Sequence, residues 1–289
     1  MTLQIRLSNK MISSKINNLS STVLVIAGSD PSGGAGIQAD LKTLTSLGVY
    51  GMSAITALTV QNTKGVSEIH EIPIDIVKKQ IQACLSDINT DTIKIGMMHN
   101  AELIMGIYEA FENQNVIRNK STKIILDPVM VAKGGHRLLK IDAIDALKIF
   151  IKKCKPILTP NIPEAEILTD TKIQNISDME KAGNLILKLG ASHVILKGGH
   201  LESKEITDIL IDHNGSYKIQ AIKSKTMHTH GTGCTMASAF SAGIAKSFDI
   251  KDAFEMAHSY VNKAILSAPK FGNGHGPINH CHSINVFQY

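Results

Sequence analysis

Short apolar runs alternate with amphipathic stretches along the 289-residue chain. Runs of this kind are typical of strands that are buried on both faces of a parallel sheet. The predicted strands are residues 22–27, 53–60, Thr92–Ile95, Lys123–Leu126, 156–158 and His193–Leu196. Between the first two runs, Ile37, Leu41 and Leu44 recur at helical spacing before Gly48. This alternation predicts an α/β fold with a mostly parallel central sheet and helices on both faces.

Local signals indicate where three further elements begin or turn. Pro73 can open a helix, because proline is favoured at the first helical position. Ser177 and Glu180 have the spacing of a capping box and predict the start of another helix. The sequence HNG joins residues 206–211 to 217–222, which predicts a late antiparallel hairpin.

Composition limits the kind of protein. Hydrophobic residues make up 43% of the chain but aromatic residues only 4%, so the core must be largely aliphatic. The net charge is +5 and the lysines are scattered, which argues against a nucleic-acid partner. No apolar run approaches the roughly 18–20 residues that a membrane span needs. We therefore expect a globular protein without nucleic-acid or membrane partners.

The cysteines and the amino terminus indicate location and domain organisation. The four cysteines lie far apart and form no CxxC pair, which favours a reduced, cytoplasmic setting. Residues 1–20 lack the continuous apolar segment of a secretory signal and predict a flexible extension. No linker or repeat interrupts the remainder, so residues 21–289 are expected to form a single domain.

Two segments near the amino terminus could bind a small molecule. Four glycines fall within residues 28–36, directly after a strand, and permit either a tight turn or close approach of a ligand. The segment matches neither a P-loop nor a dinucleotide fingerprint. Asp40 in the following helix is, by itself, consistent with a solvated face. Gln61 follows a strand, and its amide can both donate to and accept from a heterocycle, although turn formation is an alternative.

Polar residues also follow the later strands. Asp127, Asn161, Glu164 and Lys197 stand at or just beyond predicted strand ends, where ligands of parallel sheets bind. Carboxylates and amide oxygens there suit Mg²⁺, which is usually held through water and substrate phosphate. Each of these residues could instead only cap a helix or form a turn. Residues 131–139, after Asp127, contain glycine and could form a flap over the site.

A glycine-rich turn precedes Cys234. Gly231 and Gly233 free the backbone to direct N–H groups one way, and the helix dipole adds positive potential. Such an anion hole suits a transferring phosphoryl group, and the pKa of a thiol placed there is expected to be lowered. Cys234 is then a base or a substrate-positioning group, and the alternative is a small buried residue at a helix start.

A histidine-rich segment near the carboxyl terminus raises the question of zinc. The sequence GHGPINHCH gathers His275, His280, Cys281 and His282. Its spacing matches no common zinc pattern, so a surface segment is the preferred interpretation.

Eight motifs in order resemble the hydroxymethylpyrimidine/phosphomethylpyrimidine kinases of thiamine biosynthesis, within the ribokinase-like superfamily. The motifs are AGSDPSGGAGIQADLKTLTSLGVYG, ITALTVQNTKGV, KIGMM, ILDPVMVAKGGHRLL, LTPNIPEAE, ILKGGH, THGTGCT and GHGPINH. The resemblance implies a three-layer ribokinase-like fold, commonly assembled as a homodimer. It also implies ATP- and Mg²⁺-dependent phosphorylation of 4-amino-5-hydroxymethyl-2-methylpyrimidine, first to the monophosphate and then to the diphosphate.

The resemblance also implies roles for individual residues. The pyrimidine would contact Gln61, Asp40, Gly28, Met97 and Val129. Asp127 and Glu164 would organise Mg²⁺ and the phosphates. Nucleotide and phosphate would bind at Asn161, Lys197, Thr229 and Thr232, within the turn that supplies Gly231 and Gly233. Cys234 corresponds to the proposed catalytic cysteine of the family.

Three alternatives stay open at the level of sequence. Pyridoxal or pyridoxine kinase of the same superfamily is the nearest, since its substrate is also a small ring bearing a hydroxymethyl group. A non-catalytic nucleotide-binding protein would require the loss of an acid or of the anion hole. A zinc-dependent hydrolase would have to use the carboxyl-terminal histidines.

Overall fold

The structure is a computed structural model that describes residues 20–119, 121–132, 135–136 and 138–284. The predicted extension over residues 1–20 lies outside the described residues, apart from Ser20. The predicted flap over residues 131–139 lies partly outside them.

One sheet contains all the strands of the described residues. In chain order they are β1 (Thr22–Ser29), β2 (Tyr50–Asn62), β3 (Gly65–Glu71), β4 (Thr92–Ile95), β5 (Lys123–Leu126), β6 (Ile157–Leu158), β7 (His193–Leu196), β8 (Glu205–Asp212) and β9 (Gly215–Ile222). Across the sheet the order is β3-β2-β1-β4-β5-β6-β7-β8-β9. In this spatial order, the neighbouring strands β2, β1, β4, β5, β6 and β7 pair in parallel. The edge strand β3 pairs antiparallel with β2, and β8 and β9 pair antiparallel at the other edge. The mostly parallel sheet and the late hairpin are thereby confirmed.

Helices follow or precede most of these strands. They are α1 (Gly36–Ser46), α2 (Ile74–Asp87), α3 (Ala101–Asn113), α4 (Ile144–Cys154), α5 (Ile162–Thr169), α6 (Ile176–Leu189), α7 (Thr232–Ala245) and α8 (Ile250–Leu266). The predicted capping box at Ser177 is wrong, because the side chain of Asn175 accepts from the N–H of Asp178 and caps α6. Ser177 lies inside the first turn of that helix.

The sheet separates two apolar layers. Leu24 and Ile26 of β1 pack in a core shared with α2, α3, α4, α5 and α6. Val23 and Val25, which alternate with them, pack on the opposite face with α1 and the end of α7. A further cluster joins α7 and α8 to that second face. Since successive side chains of a strand point to opposite faces, this alternation produces the predicted three-layer α/β architecture.

The chain reverses its direction across the sheet beside β1. The helix α1 leads from β1 to β2 on one side, and α2 then leads back to β4 on the other side. A crevice forms at the carboxyl ends of neighbouring strands where the strand order reverses, and ligands bind there in open α/β sheets. No helix among the described residues is long and apolar enough to cross a membrane.

Candidate active site

The glycine-rich segment after β1 folds around the carboxylate of Asp30. Its Oδ1 accepts from the N–H of Ser32 at 2.9 Å and from its hydroxyl at 2.7 Å, and its Oδ2 accepts from the N–H of Ala35 at 2.9 Å. Gly36 has a φ of 56°, and a Cβ there would collide with the carbonyl oxygen of Gly28. The glycine at position 36 is therefore required by the turn.

Gly28 and Met97, both predicted to line the pocket, lie against each other. A Cβ on Gly28 would come within 2.9 Å of the Met97 sulfur. Gly28 belongs to β1 and Met97 follows β4, so the two sit at the point where the strand order reverses. The absence of a side chain at position 28 lets the strand approach this methionine closely.

Gln61 lies near the end of β2, where a bulge changes the register with β3. Val60 pairs with Glu68, but Gln61 pairs with Val66. Bulges of this kind redirect side chains and are frequent next to active sites. The Gln61 amide lies 3.1 Å from the Thr59 hydroxyl and 3.3 Å from the His230 ring, and it lines a small cleft with His230.

The segment before α7 crosses over the glycine-rich turn. Gly231 has a φ of 84°, and a Cβ there would collide with the carbonyl oxygen of Gly34. The carbonyl oxygen of Thr229 accepts from the Thr232 hydroxyl at 2.8 Å, which closes the turn. The first N–H groups of a helix lack carbonyl partners within it, and no side chain of the described residues caps α7. The N–H of Thr232 donates to the carbonyl oxygen of Thr229 at 3.3 Å, and the anion hole predicted at Gly231 and Gly233 stays a prediction.

Asp127 and Lys197 form an ion pair beside this helix start. Lys197 Nζ donates to Asp127 Oδ1 at 2.8 Å, and the Thr159 hydroxyl donates to the same oxygen at 3.1 Å. A Cβ on Gly233 would lie 3.3 Å from Lys197 Nζ and 3.7 Å from Asp127 Oδ2. Burial opposes the charge of Lys197, but Asp127 and Glu164 outweigh it and raise the pKa of this lysine. Lys197 therefore carries positive charge next to the helix start.

The half-buried Val129 follows this pair, and its N–H donates to the carbonyl oxygen of Asp127 at 2.8 Å. This contact fixes the chain just beyond β5. Its predicted contact with a pyrimidine stays a prediction.

Asn161 and Glu164 cap α5 together. The Asn161 side chain accepts from the N–H of Glu164 at 3.0 Å, and the Glu164 carboxylate accepts from the N–H of Asn161 at 2.8 Å. Asn161 also bridges to Lys197 through the backbone. Burial, together with the negative charge of Asp127, raises the pKa of Glu164 to about 7. The first role of this pair is therefore structural, and the same cap places Glu164 close to Asp127 and Lys197.

Cys234 lies in the first turn of α7, but its thiol is not activated in this structure. Burial raises its pKa to about 11, and the negative charges of Asp40 and Asp127 act in the same direction. The positive charge of Lys94 opposes them without reversing the result. The expectation of a lowered pKa is therefore wrong for the ligand-free protein, because desolvation and two acids outweigh the favourable charges.

Asp40 is fully buried rather than on a solvated face, so that interpretation is wrong. Lys94 Nζ donates to both Asp40 oxygens, at 2.9 and 2.8 Å, and the Ser238 hydroxyl donates to Oδ1 at 2.7 Å. Burial alone would lower the pKa of Lys94, but the negative charge of Asp40 outweighs burial and raises the pKa of this lysine. These contacts join α1, β4 and α7 beneath Cys234. A pyrimidine contact for Asp40 stays a prediction.

The histidine-rich segment packs against α7 instead of lying wholly on the surface. His280 is 5% exposed, and its Nε2 lies 2.9 Å from the Thr235 hydroxyl. Cys281 is exposed, as expected. Within the described part of the chain, no three His, Cys, Asp or Glu side chains are grouped so that they could hold a metal ion.

Four further residues of this site carry no signal that predicts them from the sequence. Asp30, Lys94, His230 and Ser238 are buried polar residues that bond to predicted site residues or to one another. Asp30, Lys94 and His230 lie inside quoted motifs, but nothing in sequence pairs them, because their partners are far along the chain.

Several known proteins resemble this chain over most of its length. The sequence profile of the phosphomethylpyrimidine kinase family matches residues 30–279. Hydroxymethylpyrimidine/phosphomethylpyrimidine kinase of Bacillus subtilis is 45% identical, over 89% of this chain and 93% of that protein. The crystal structure of phosphomethylpyrimidine kinase from Clostridium difficile is 42% identical, with a TM-score of 0.74 over 85% of this chain and 99% of that chain. Staphylococcus aureus pyridoxal kinase in complex with AMP-PCP and pyridoxal is 34% identical, with a TM-score of 0.82 over 92% of this chain and 95% of that chain.

Proposed function

Because the chain belongs to the phosphomethylpyrimidine kinase family, we propose that it phosphorylates 4-amino-5-hydroxymethyl-2-methylpyrimidine and then the resulting monophosphate. ATP is the phosphoryl donor. One observation carries the proposal. The uncapped start of α7, with Lys197 and Asp127 beside it, lies at the same edge of the sheet as the cleft between Gln61 and His230. A phosphoryl-transfer centre next to an amide that can recognise a heterocycle is what such a kinase needs.

The phosphoryl transfer itself calls mainly for positioning and positive charge. The hydroxymethyl oxygen forms a bond to the γ-phosphorus of ATP and passes its proton to an oxygen of the transferred phosphoryl group. The bond to the β,γ-bridging oxygen breaks and ADP leaves. In this proposal the N–H groups of Gly231 and Gly233 bind the phosphoryl oxygens, and Lys197, next to Gly233, adds a fixed cation. Asn161 and Thr229 contact the nucleotide and its phosphates.

Cys234 acts in this proposal as a positioning group for the acceptor oxygen. A thiol whose pKa is about 11 is a poor base in the resting enzyme. In a loose transition state the charge is spread over the transferred group, and catalysis rests on positioning and electrostatic stabilisation. The acceptor hydroxyl can therefore be oriented by a neutral thiol.

The acids present fit Mg²⁺ held partly by substrate. Asp127 and Glu164 are two buried carboxylates next to the start of α7, and the described residues contain no larger cluster of metal ligands. Mg²⁺ is commonly bound by one or two carboxylates together with water and phosphate oxygens, rather than by an all-protein cage. When bound, it would neutralise charge on the ATP phosphates.

Pyridoxal is a second candidate substrate. The likeness to a pyridoxal kinase complexed with pyridoxal and AMP-PCP favours it, since that structure shares the fold over almost the whole of this chain. Both candidates are aromatic nitrogen rings with a hydroxymethyl group. They differ in the second step, because only the pyrimidine monophosphate is expected to be phosphorylated again.

Product analysis by mass spectrometry tests the proposal. Purified protein is incubated with Mg-ATP and equal concentrations of the hydroxymethylpyrimidine and pyridoxal, and a parallel sample contains EDTA. We expect pyrimidine monophosphate followed by diphosphate, and neither product with EDTA. Pyridoxal phosphate as the sole product would replace the pyrimidine assignment with the vitamin B6 reaction. Phosphorylation of neither ring would overturn the proposed activity.

We also propose that residues 21–289 act as one kinase domain in a cytoplasmic homodimer. The family resemblance supports the dimer. The four free cysteines support the reducing compartment. Sedimentation velocity on the purified protein measures the oligomeric state directly.

A further inference from the structure

Asp30 is an obligatory hydrogen-bond acceptor at the edge of the Gln61 cleft. Burial raises its pKa, but the hydrogen bonds from His230 and Ser32 outweigh burial and hold the pKa below its usual value. The carboxylate is therefore ionised and can only accept. Its Oδ2 takes the N–H of Ala35 at 2.9 Å and faces the His230 Nε2 at 2.8 Å.

This contact determines where the His230 ring carries its proton. The imidazole is buried, and its Nε2 faces a group that cannot donate. A contact of 2.8 Å between the two atoms is stable only if Nε2 carries hydrogen and donates it to Asp30. His230 is thus held with Nε2–H toward Asp30, since the partner of one ring nitrogen selects the tautomer.

In the orientation that the structure records, the Gln61 amide places its NH₂ against a donor and its oxygen against a hydroxyl whose hydrogen is taken elsewhere. Its Nε2 lies 3.3 Å from the His230 Nε2, so two donors would face each other. Its Oε1 lies 3.1 Å from the Thr59 hydroxyl. This hydroxyl has one hydrogen and donates it to the carbonyl oxygen of Ser29 at 2.9 Å, so two acceptors face each other. A 180° turn of the amide removes both conflicts. The oxygen then lies beside the His230 Nε2–H, which still donates to Asp30, and the NH₂ donates to the Thr59 hydroxyl. The two ends of an amide have nearly the same shape, so their partners decide the orientation.

We propose that the Asp30–His230 pair fixes the Gln61 amide with its oxygen toward His230 and its NH₂ toward Thr59. The second lone pair and the second N–H of Gln61 then face the substrate ring in a fixed order, with the acceptor on the His230 side. This inference rests on the proposed function. A ring that carries an exocyclic amino group beside a ring nitrogen matches this order, with its amino group toward His230. Asp30 and His230 are positioning residues that act through Gln61.

The protonation of His230 can be read without any substrate. Long-range ¹H–¹⁵N spectra of histidine-labelled, ligand-free protein distinguish the two tautomers, and the His230→Gln variant identifies the signal. We expect hydrogen on Nε2 in the unmodified protein and a loss of this preference in Asp30→Asn. An unprotonated Nε2 in the unmodified protein overturns the proposal, whatever the enzyme phosphorylates.

A double-mutant cycle tests whether Asp30 acts through Gln61. Asp30→Asn alone should raise the KM for the pyrimidine about tenfold and leave the KM for ATP unchanged, since one oriented hydrogen-bond pair is lost. In the Gln61→Met background, Asp30→Asn should change the pyrimidine KM by less than about twofold. The effects of Asp30→Asn and Gln61→Met on the pyrimidine KM could instead simply multiply in the double variant, or Asp30→Asn could raise the KM for ATP as much as the KM for the pyrimidine. Either result would mean that Asp30 acts on the site as a whole.

Asp212→Asn is the matched control. Asp212 Oδ1 accepts from the N–H groups of Asn214 and Gly215 in the β8–β9 turn, much as Asp30 does in its own turn. This variant should leave both KM values unchanged. If Asp30→Asn does not fold, Thr59→Val replaces it in the cycle. Removal of the hydroxyl that accepts from Gln61 should raise the pyrimidine KM several-fold, and only when Gln61 is present. A rise of equal size in the Gln61→Met background overturns the proposal.

If the unmodified enzyme phosphorylates no pyrimidine, the proposed function fails. The His230 spectrum still decides whether the pair is arranged as proposed.

Discussion

At the scale of single residues, Cys234 shows that a helix start does not by itself activate a thiol. The Lys94 charge and the backbone N–H of Gly36, at the start of α1, favour a thiolate. Burial and the charges of Asp40 and Asp127 favour the thiol, and they raise the pKa to about 11. The motif reveals the favourable helix start, but the opposing acids come from α1 and from the end of β5, so their effect cannot be read from the GTGC sequence alone.

Replacement of Cys234 by Ala should lower kcat about a hundredfold, because a group that orients the acceptor hydroxyl is lost. The KM for ATP should stay within about twofold, since the variant retains the backbone N–H groups of α7. Steady-state kinetics with each substrate varied measure both quantities. The exposed Cys281 provides the control, and Cys281→Ala should leave kcat unchanged. An unaltered kcat in Cys234→Ala would remove this residue from the mechanism.

The same pKa predicts how the unmodified protein reacts with iodoacetamide. At pH 7.5, far below a pKa of about 11, less than about 0.1% of Cys234 is thiolate. Alkylation at this residue should therefore be slow at neutral pH and should accelerate as the pH approaches 11. Peptide mass spectrometry separates this residue from Cys281. Rapid neutral alkylation of Cys234 would show that the helix start prevails over burial.

At the scale of elements, the sequence predicted what depends on local pattern. The buried parallel strands were found because both of their faces are apolar. Strand β3 was missed, since GVSEIHE is largely polar and exposed at the sheet edge. The start of α6 was misplaced by two residues because Asn175 and Ser177 are both good caps. Only the path of the chain into the helix decides which of them binds the free N–H groups.

The caps of α5 and α6 offer a matched pair of variants. Asn161 and Asn175 each accept from the N–H three residues later, both at 3.0 Å. Asn161→Ala and Asn175→Ala should each lower the free energy of unfolding by about 1 kcal/mol, as measured by urea denaturation. Only Asn161→Ala should also raise the KM for ATP, because it also removes the side chain that is proposed to contact the nucleotide. Equal KM values for ATP in both variants would leave Asn161 a purely structural cap.

At the scale of the whole molecule, the site is made by partners that are distant in sequence. Asp40 and Lys94 are separated by 54 residues, and Asp30 and His230 by 200. Motif order located the strand ends correctly, because carboxyl ends of parallel strands must meet at one edge. The pairing of buried charges depends on how α1 and α7 pack over β4, which no spacing along the chain reveals. The carboxyl-terminal segment adds a further long-range contact through His280 and Thr235.

The stability of the protein should therefore depend on pH through His280. Burial, with the positive charges of Lys42 and His282, lowers its pKa to about 4, against an ordinary value of 6.5. Between these values the unfolded chain binds more protons than the folded protein, so the free energy of unfolding rises with pH. Acidification from pH 6.5 toward 4 should cost at most about 3 kcal/mol at this residue.

Urea unfolding at pH 5.0 and pH 7.5 measures this loss. His280→Gln removes the titrating ring and should reduce the difference between the two pH values, whereas His213→Gln, in the exposed β8–β9 turn, should not. The change in stability must be compared between variants, since acidic residues elsewhere also titrate over this range. An unaltered pH dependence in His280→Gln would mean that the ring is hydrated in solution, and that the carboxyl-terminal segment does not hold Thr235 at the start of α7.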